Sequence, residues 1–340
     1  MTVEAWQRLL AAEVSPAKSR ALLEGSGSFF DPATSPLLTD REKDKAAAAD
    51  LDALQRALAA GARLLGPEDY SEGLACLDFA PPALFAHGDA ECLHRPTVAI
   101  VGTRDVSTYG RACAFKFAQA FARAGVTVVS GGALGIDASA HKGALESGGK
   151  TVAVLAGGVD HVYPSVHGGL FRQIRESGCL VSQFAVGSKP TEYKFLMRNA
   201  LVAMLSLAVV VIEAPPRSGA LRTARDANEI GREVFVVPGD VTRLSFRGSF
   251  NLIRDGATLV DNPDQVLEAL DLEPALPLDV RPPASTTAQQ VLAVLSTTPT
   301  PTEKIVEQTK IDAADVLSEL TMLELEGRVT REPGGYAVRL

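Results

Sequence analysis

Six short runs of β-branched and small apolar residues recur between residues 97 and 237, at 97–101, 126–129, 151–155, 180–182, 208–212 and 234–237. They lack the alternation of a half-solvated strand, and longer amphipathic stretches separate them, among them 111–124, 138–147 and 220–230. A strand without alternation is buried on both faces, and strands that alternate with helices pair in parallel. This stretch therefore predicts an α/β fold with a parallel sheet covered by helices on both sides.

The flanks read differently. Residues 1–85 are rich in Ala and Leu at helical spacing (Trp6, Leu9, Leu10; Leu51, Leu54, Leu58) and predict a small helical domain. The sheet domain occupies 86–270, and the proline-rich, aperiodic stretch 271–285 reads as a linker. Residues 286–340 hold three helical patterns and then two short runs about a Pro-Gly-Gly turn, which together predict a winged-helix-like domain.

The residues that follow the strands carry the functional signal. Gly102-Thr103-Arg104, Ser130-Gly131-Gly132, Gly157-Gly158, the segment from Glu213 to Gly219, and Pro238-Gly239 all fall at the carboxyl edge of the expected sheet. Ligands of open parallel sheets bind at that edge. Glycines admit a ligand close to the backbone, and the helix N-termini that follow present free N–H groups to an anion. The alternative, that glycine serves only the turns, is weaker for five ends than for one. Arg104 is placed to fork onto a phosphate. Ser218 fits the N-cap of the 219–230 helix with Thr223 a turn further in, and capping alone leaves the neighbouring Arg217, Arg222 and Arg225 without a role. In YKFLMRN (193–199), aromatic and basic residues interleave as they do where bases stack and cations follow the backbone, although Phe195 fits a core position equally well.

Other chemistries find little support. GTRDVSTYG after the first run departs from the dinucleotide fingerprint, and no Walker-type phosphate loop is present. Asp137 and His141 lie four apart on one helix face, but a cap and a packed imidazole explain them more simply than a metal site. The four cysteines are not closely spaced, which fits reduced thiols and no metal. The apolar run 200–212 falls short of the roughly 20 residues of a membrane span, and with no secretory signal pattern at the N-terminus the expectation is a cytoplasmic protein without membrane contact. A net charge of −8 argues against coating DNA by bulk charge, yet residues 189–254 carry ten Lys/Arg against six Asp/Glu.

The blocks VAIVGTR, SGGALGIDASAH, TVAVLAGGVDHVYP, FLMRN, EAPPRSGALRTARDANEIGREVFVVPG and NLIRDGATLV resemble, in order and spacing, the bacterial DNA processing protein A family (DprA, also called Smf). The resemblance implies a Rossmann-like, mostly parallel sheet between an N-terminal helical (SAM-like) domain and a C-terminal winged-helix-like domain. It further implies a non-enzymatic, cofactor-free recombination mediator of natural transformation. Such a protein acts as a homodimer, protects incoming single-stranded DNA and helps load RecA onto strands covered by single-strand-binding protein. Carried over by position, the DNA-facing residues are Gly102, Thr103 and Arg104 after the first strand, Ser130, Gly131 and Gly132 after the second, Phe195, Arg198 and Asn199, and Ser218, Gly219 and Thr223.

The sequence also departs from the family pattern. Leu134 stands where Arg or Lys is usual before Gly-Ile-Asp, Ala200 ends the Arg198-Asn199 motif, Glu192 replaces a lysine, Gln183 replaces a glutamate, and Ser249 and Phe250 lie between Gly248 and Asn251. With part of the cationic rim missing, binding is expected to rely on Arg104, Lys194, Arg198, Arg243 and Arg247. Two other functions are weighed against this one. A nucleoside-monophosphate phosphoribohydrolase on a related glycine-rich fold would need a catalytic Glu after Thr223, and none stands at that spacing. A transcription factor would need a basic recognition helix, whereas 313–326 is acidic.

Overall fold

The computed structural model describes residues 1–24, 31–274, 286–325 and 328–338. Its first unit, Met1–Ala275, is built on a nine-stranded sheet. The strands are β1 (Ala62–Leu65), β2 (Leu84–Gly88), β3 (Thr97–Val101), β4 (Thr127–Ser130), β5 (Thr151–Val154), β6 (Cys179–Ser182), β7 (Ala208–Val211), β8 (Glu233–Val236) and β9 (Thr258–Leu259). All six expected runs are strands, each within one residue of its expected bounds. Their order is β1-β2-β6-β5-β4-β3-β7-β8-β9, parallel from β6 through β9 and antiparallel at β1–β2 and β2–β6.

Burial explains why the runs do not alternate. Val98, Ile100, Val128 and Val210 face a core that contains Phe117 and Phe121 of helix Thr108–Arg123. Ala99, Val101, Val129, Val209 and Val211 face the opposite core, with Leu201 and Val202 of helix Glu192–Met204 and Ala224 of helix Gly219–Glu229. Each fully buried valine contributes about 1.5–3 kcal/mol of transfer free energy, so neither face tolerates a polar register.

The chain winds outward from β3 through β4 and β5 to β6, then returns to lay β7 on the other side of β3, with Val98 opposite Ala208. The strand order therefore reverses between β3 and β7. Doubly wound sheets take their ligands in the crevice at the carboxyl edge beside such a reversal.

Sequence patterning did not flag β1, β2 or β9. ARLL and LFAHG contain no β-branched residue, and β9 has two residues. Tertiary pairing makes them strands, since β2 bonds along β6 from Phe85 opposite Ser182 to Gly88 opposite Cys179. The N-terminal helices pack on this side of the sheet, Leu10 and Leu54 sharing a core with Phe85, Leu155 and Phe171. Gln7, fully buried, fastens them: its Nε2 donates to the carbonyls of Val186 (2.8 Å) and Asp50 (3.2 Å), and its Oε1 accepts the Val186 N–H (3.0 Å).

The second unit comprises helices Thr286–Val294, Thr302–Thr309 and Ala313–Leu325 with the antiparallel pair β10 (Val329–Glu332) and β11 (Gly335–Val338). Val291, Ile305, Val316, Leu320 and Tyr336 form its core, in a winged-helix-like arrangement. Residues 275–285, most of the expected linker, lie outside the described residues, as does Glu326. Among the described residues no helix is long and apolar enough to cross a membrane.

Replacing Gln7 with Leu keeps the volume but strands the Val186 amide and two carbonyls. Urea unfolding is expected to show a loss of about 2–4 kcal/mol; a loss below 1 kcal/mol would mean that the fastening is not made in solution.

Candidate nucleic-acid interface

At the crevice the protein first satisfies itself. The Thr103 N–H donates to the Glu213 carbonyl (2.7 Å), and the buried Glu213 carboxylate takes the N–H (3.1 Å) and Oγ–H (2.7 Å) of Ser107. Asp137, buried in the first turn of helix Ile136–Glu146, accepts the N–H groups of Ala133 (3.2 Å) and Gly131. Burial pushes the Asp137 carboxyl above its ordinary range, against the pull of Arg198 and these amides. Ser130 is buried, its hydroxyl on the Ile100 carbonyl (2.7 Å). The expectation that these glycine-rich ends hold their amides open to an anion is thus corrected for Thr103 and Gly131, whose N–H groups already have acceptors.

The glycines admit side chains. A Cβ on Gly131 would collide with the Arg198 guanidinium, one on Gly102 with Ile136, and one on Gly132 (φ +68°) with the Phe171 ring. Arg198 is buried, and Nη1 donates to the carbonyls of Gly131 and Val154 (2.9 Å to the latter) while Nε donates to Asn199 Oδ1 (3.1 Å). Burial lowers its pKa and the Asp137 charge opposes that shift.

The periodicity of helix Glu192–Met204 sends its side chains to different surroundings. Arg198 points inward to the ends of β4 and β5. Phe195, one turn earlier, lies at the rim, with the Arg104 guanidinium 5.5 Å and the Arg198 guanidinium 5.7 Å from its ring centroid. Lys194, a step of about 100° around the helix from Phe195, is buried elsewhere: Nζ lies 2.9 Å from Glu13 Oε1, bonds to Ser188 Oγ and sits 5.4 Å from the Phe184 ring. The expected phosphate contact of Lys194 is therefore replaced by an internal ion pair.

Tyr163 completes the rim. Its ring meets Phe195 edge-on at 5.7 Å and is 52% exposed. Together with Arg104, Gly131, Leu134, Pro164 and Arg198 the two rings line a recess of about 40 Å³. Sequence reasoning had not singled out Tyr163, although its position just after the third strand end, in the DHVYP segment, was the available signal.

A second group stands beside this recess. Ser218 caps helix Gly219–Glu229, its Oγ accepting the Leu221 N–H (3.4 Å), and Asn199 Nδ2 donates to the Gly219 carbonyl (3.4 Å). Among the described residues the Gly219 and Ala220 N–H groups have no protein acceptor, so this helix end still offers amides and a positive dipole. Thr223 is buried with its hydroxyl on the Gly219 carbonyl (3.4 Å), and Arg222 pairs with Asp226 (2.7 Å). Arg243 and Arg247 are exposed on the segment after β8, where Arg247 borders an open groove with Pro216, Phe250 and Arg254. The structure thus brings Arg104, Gly131, Phe195 and Arg198 together and sets Asn199, Ser218 and Gly219 next to them. It turns Thr103, Ser130, Lys194 and Thr223 inward and leaves Arg243 and Arg247 exposed after β8, outside the recess.

His141 packs against the sheet as expected, Nδ1–H on Thr151 Oγ1 (2.7 Å), with burial pushing it down to about 3. Among the described residues no three His, Cys, Asp or Glu side chains are grouped to hold a metal.

The fold and the site define a doubly wound α/β protein with a cationic, aromatic recess at its switch point, followed in sequence by a winged-helix-like unit. Residues 63–271 match the family described as DNA recombination-mediator protein A, and residues 274–335 match the DprA winged helix domain. The chain belongs to the DNA processing protein A (DprA/Smf) family of recombination mediators. Protein Smf of Escherichia coli is 39% identical over 277 residues, 78% of this chain and 74% of its own. The putative DNA processing protein DprA of Mycobacterium tuberculosis is 37% identical over 325 residues, 88% of this chain and 81% of its own. Among solved structures, DNA processing protein A of Streptococcus pneumoniae superposes with a TM-score of 0.69 at 29% identity, over 80% of this chain and 99% of that one. That of Helicobacter pylori, described for its single-stranded DNA binding mode, gives 0.57 at 29% identity, over 62% and 97%.

The Glu13 pair has a pH signature. Burial works to raise the Glu13 carboxyl, but the Lys45 and Lys194 bonds outweigh it and hold its pKa below the ordinary 4.5. Because the folded pKa is depressed, the stability it contributes is present above pH 4.5 and is lost as the pH falls through the folded value. Urea unfolding should show the native chain losing stability below pH 4.5 more steeply than Glu13→Gln; parallel acid limbs would contradict the pairing.

Proposed function

We propose that this chain is a non-enzymatic recombination mediator that binds single-stranded DNA at the switch-point edge. In natural transformation it would protect the incoming strand and help load RecA onto it in place of single-strand-binding protein, acting as a cytoplasmic homodimer. The observation that carries the reading is the Phe195 ring held between Arg104 and Arg198, with Tyr163 edge-on and half-exposed beside it. A half-buried ring at the rim, with the exposed Arg104 guanidinium against it and the exposed Tyr163 ring beside it, takes an unstacked base and its phosphate together, which a duplex does not offer. The free amides of Gly219 and Ala220 supply a neighbouring phosphate position. Family membership and the single-stranded DNA binding of the Helicobacter pylori relative support the same ligand. The acidic helix Ala313–Leu325, with Asp315, Glu319 and Glu324 and no Lys or Arg, favours a protein contact for the second unit over entry into a DNA groove.

Filter binding of single-stranded against duplex DNA at several salt concentrations tests this. With about five phosphates neutralised, log K should fall against log salt with a slope of roughly −3 to −4. Phe195→Ala should cost about 1–3 kcal/mol, and Arg104→Ala should weaken binding while making the slope shallower by about 0.7. Equal affinity for duplex, or indifference to both substitutions, would refute the reading.

A further inference from the structure

A second cationic site lies on the face of the sheet beneath the N-terminal helices. A cleft of about 360 Å³ runs between helix Leu51–Ala59 and helix Gly168–Ser177, floored by Phe171 and Leu180. Arg56 projects from the first helix and Arg172 and Arg175 from the second, and all three are exposed. Among the described residues none of these guanidiniums lies within ion-pair distance of a carboxylate. Elsewhere on this unit Arg20, Arg63 and Arg222 do have such partners. The cleft's acid, Asp160, is engaged, its Oδ1 accepting the Gly187 N–H (2.9 Å). His87, at the floor, donates from Nε2–H to the Ala60 carbonyl (2.8 Å), and burial, aided by Arg175, keeps its pKa below the ordinary value. The cleft therefore holds three arginines, none of them ion-paired among the described residues, against the one carboxylate of Asp160, and keeps a net positive charge.

Such a set is suited to phosphate, because a guanidinium forks onto phosphate oxygens and Arg172 and Arg175, three apart on a helix, are neighbours about 5–6 Å apart. The volume falls at the lower end of the roughly 300–1,000 Å³ of small-molecule sites, enough for one nucleotide unit. The cleft and the recess already described are lined by adjoining residues of one loop. Val162 lines the cleft, and the next residue, Tyr163, is the one whose ring meets Phe195.

We propose that the Arg56–Arg172–Arg175 cleft is a second phosphate-binding subsite, which takes the backbone of single-stranded DNA as it leaves the Tyr163–Phe195 ring pair. The proposal rests on the single-stranded DNA reading above and extends the strand's path from the switch point onto the face of the sheet.

The test compares a short oligothymidylate of about four nucleotides, which occupies the recess alone, with one of about sixteen that reaches the cleft. In the full-length chain, Arg172→Ala combined with Arg175→Ala should lower affinity for the longer strand about tenfold and make its salt slope shallower by about 1.4, that is, two phosphates at about 0.7 each. Affinity for the short strand should stay native, and Arg172→Lys with Arg175→Lys should restore most of the loss. Both residues are exposed, so the melting temperature should be native. Native affinity of the double alanine variant for the longer strand, with Arg104→Ala still impairing both lengths, would overturn the cleft and leave the recess standing. Failure of the native chain to bind either length would overturn both. Thymidine monophosphate, or an oligoglutamate peptide, raising the melting temperature of the native chain but not of the double variant, with long-strand affinity unchanged, would reassign the cleft and overturn the strand path.

Discussion

A guanidinium taken out of water costs several kcal/mol unless its N–H groups find acceptors, and the carboxyl edge of this sheet is organised around the way Arg198 meets that requirement. Its acceptors are the carbonyls of Gly131 and Val154, so one side chain clamps the ends of β4 and β5 to the helix that carries it. Asp137 supplies the compensating charge from the helix that follows β4. The position of Phe195 follows directly, one turn along the same helix, and with it the seat of Arg104 over the ring. The rim thus rests on a buried guanidinium held by backbone carbonyls below it, with Arg104 and Tyr163 turned to solvent.

This arrangement divides the polar groups of the edge into two populations. Backbone amides that glycine-rich loops usually offer to a ligand are largely consumed, Thr103 by the Glu213 carbonyl and Gly131 and Ala133 by Asp137. Among the described residues those still open are the Gly219 and Ala220 N–H groups at the start of helix Gly219–Glu229, ahead of the Leu221 N–H that the Ser218 hydroxyl takes. The electrostatic attraction for an anion therefore comes mainly from side-chain guanidiniums and one helix end.

Much of the fold was legible because the physics behind it is local. Runs such as TVAIV and AVVV are buried on both faces, and only a covered parallel sheet permits that. β1 and β2 were not legible, since ARLL and LFAHG become strands by pairing outward from β6, a contact distant in sequence. The site divided along similar lines. Arg104 and Phe195 could be read from their place at strand ends and in an aromatic-basic run. The difference between Phe195 at the rim and Lys194 in the interior could not, because it depends on Glu13, 181 positions earlier in the chain. Tyr163 escaped notice because its role comes from a ring contact with a residue on another helix.

The glycines after β3 and β4 have a further implication for how chains of this kind are compared. At Gly102, Gly131 and Gly132 the space a methyl group would fill is already taken by Ile136, Arg198 and Phe171. Selection for the bare fold would preserve those glycines whether or not anything binds outside them. A descendant that had abandoned its nucleic acid would still carry the whole glycine signature, while its solvent-facing arginines and tyrosine drifted. The motif that makes the lineage easy to trace is a record of interior packing, and functional divergence within it would be written in the residues between the glycines.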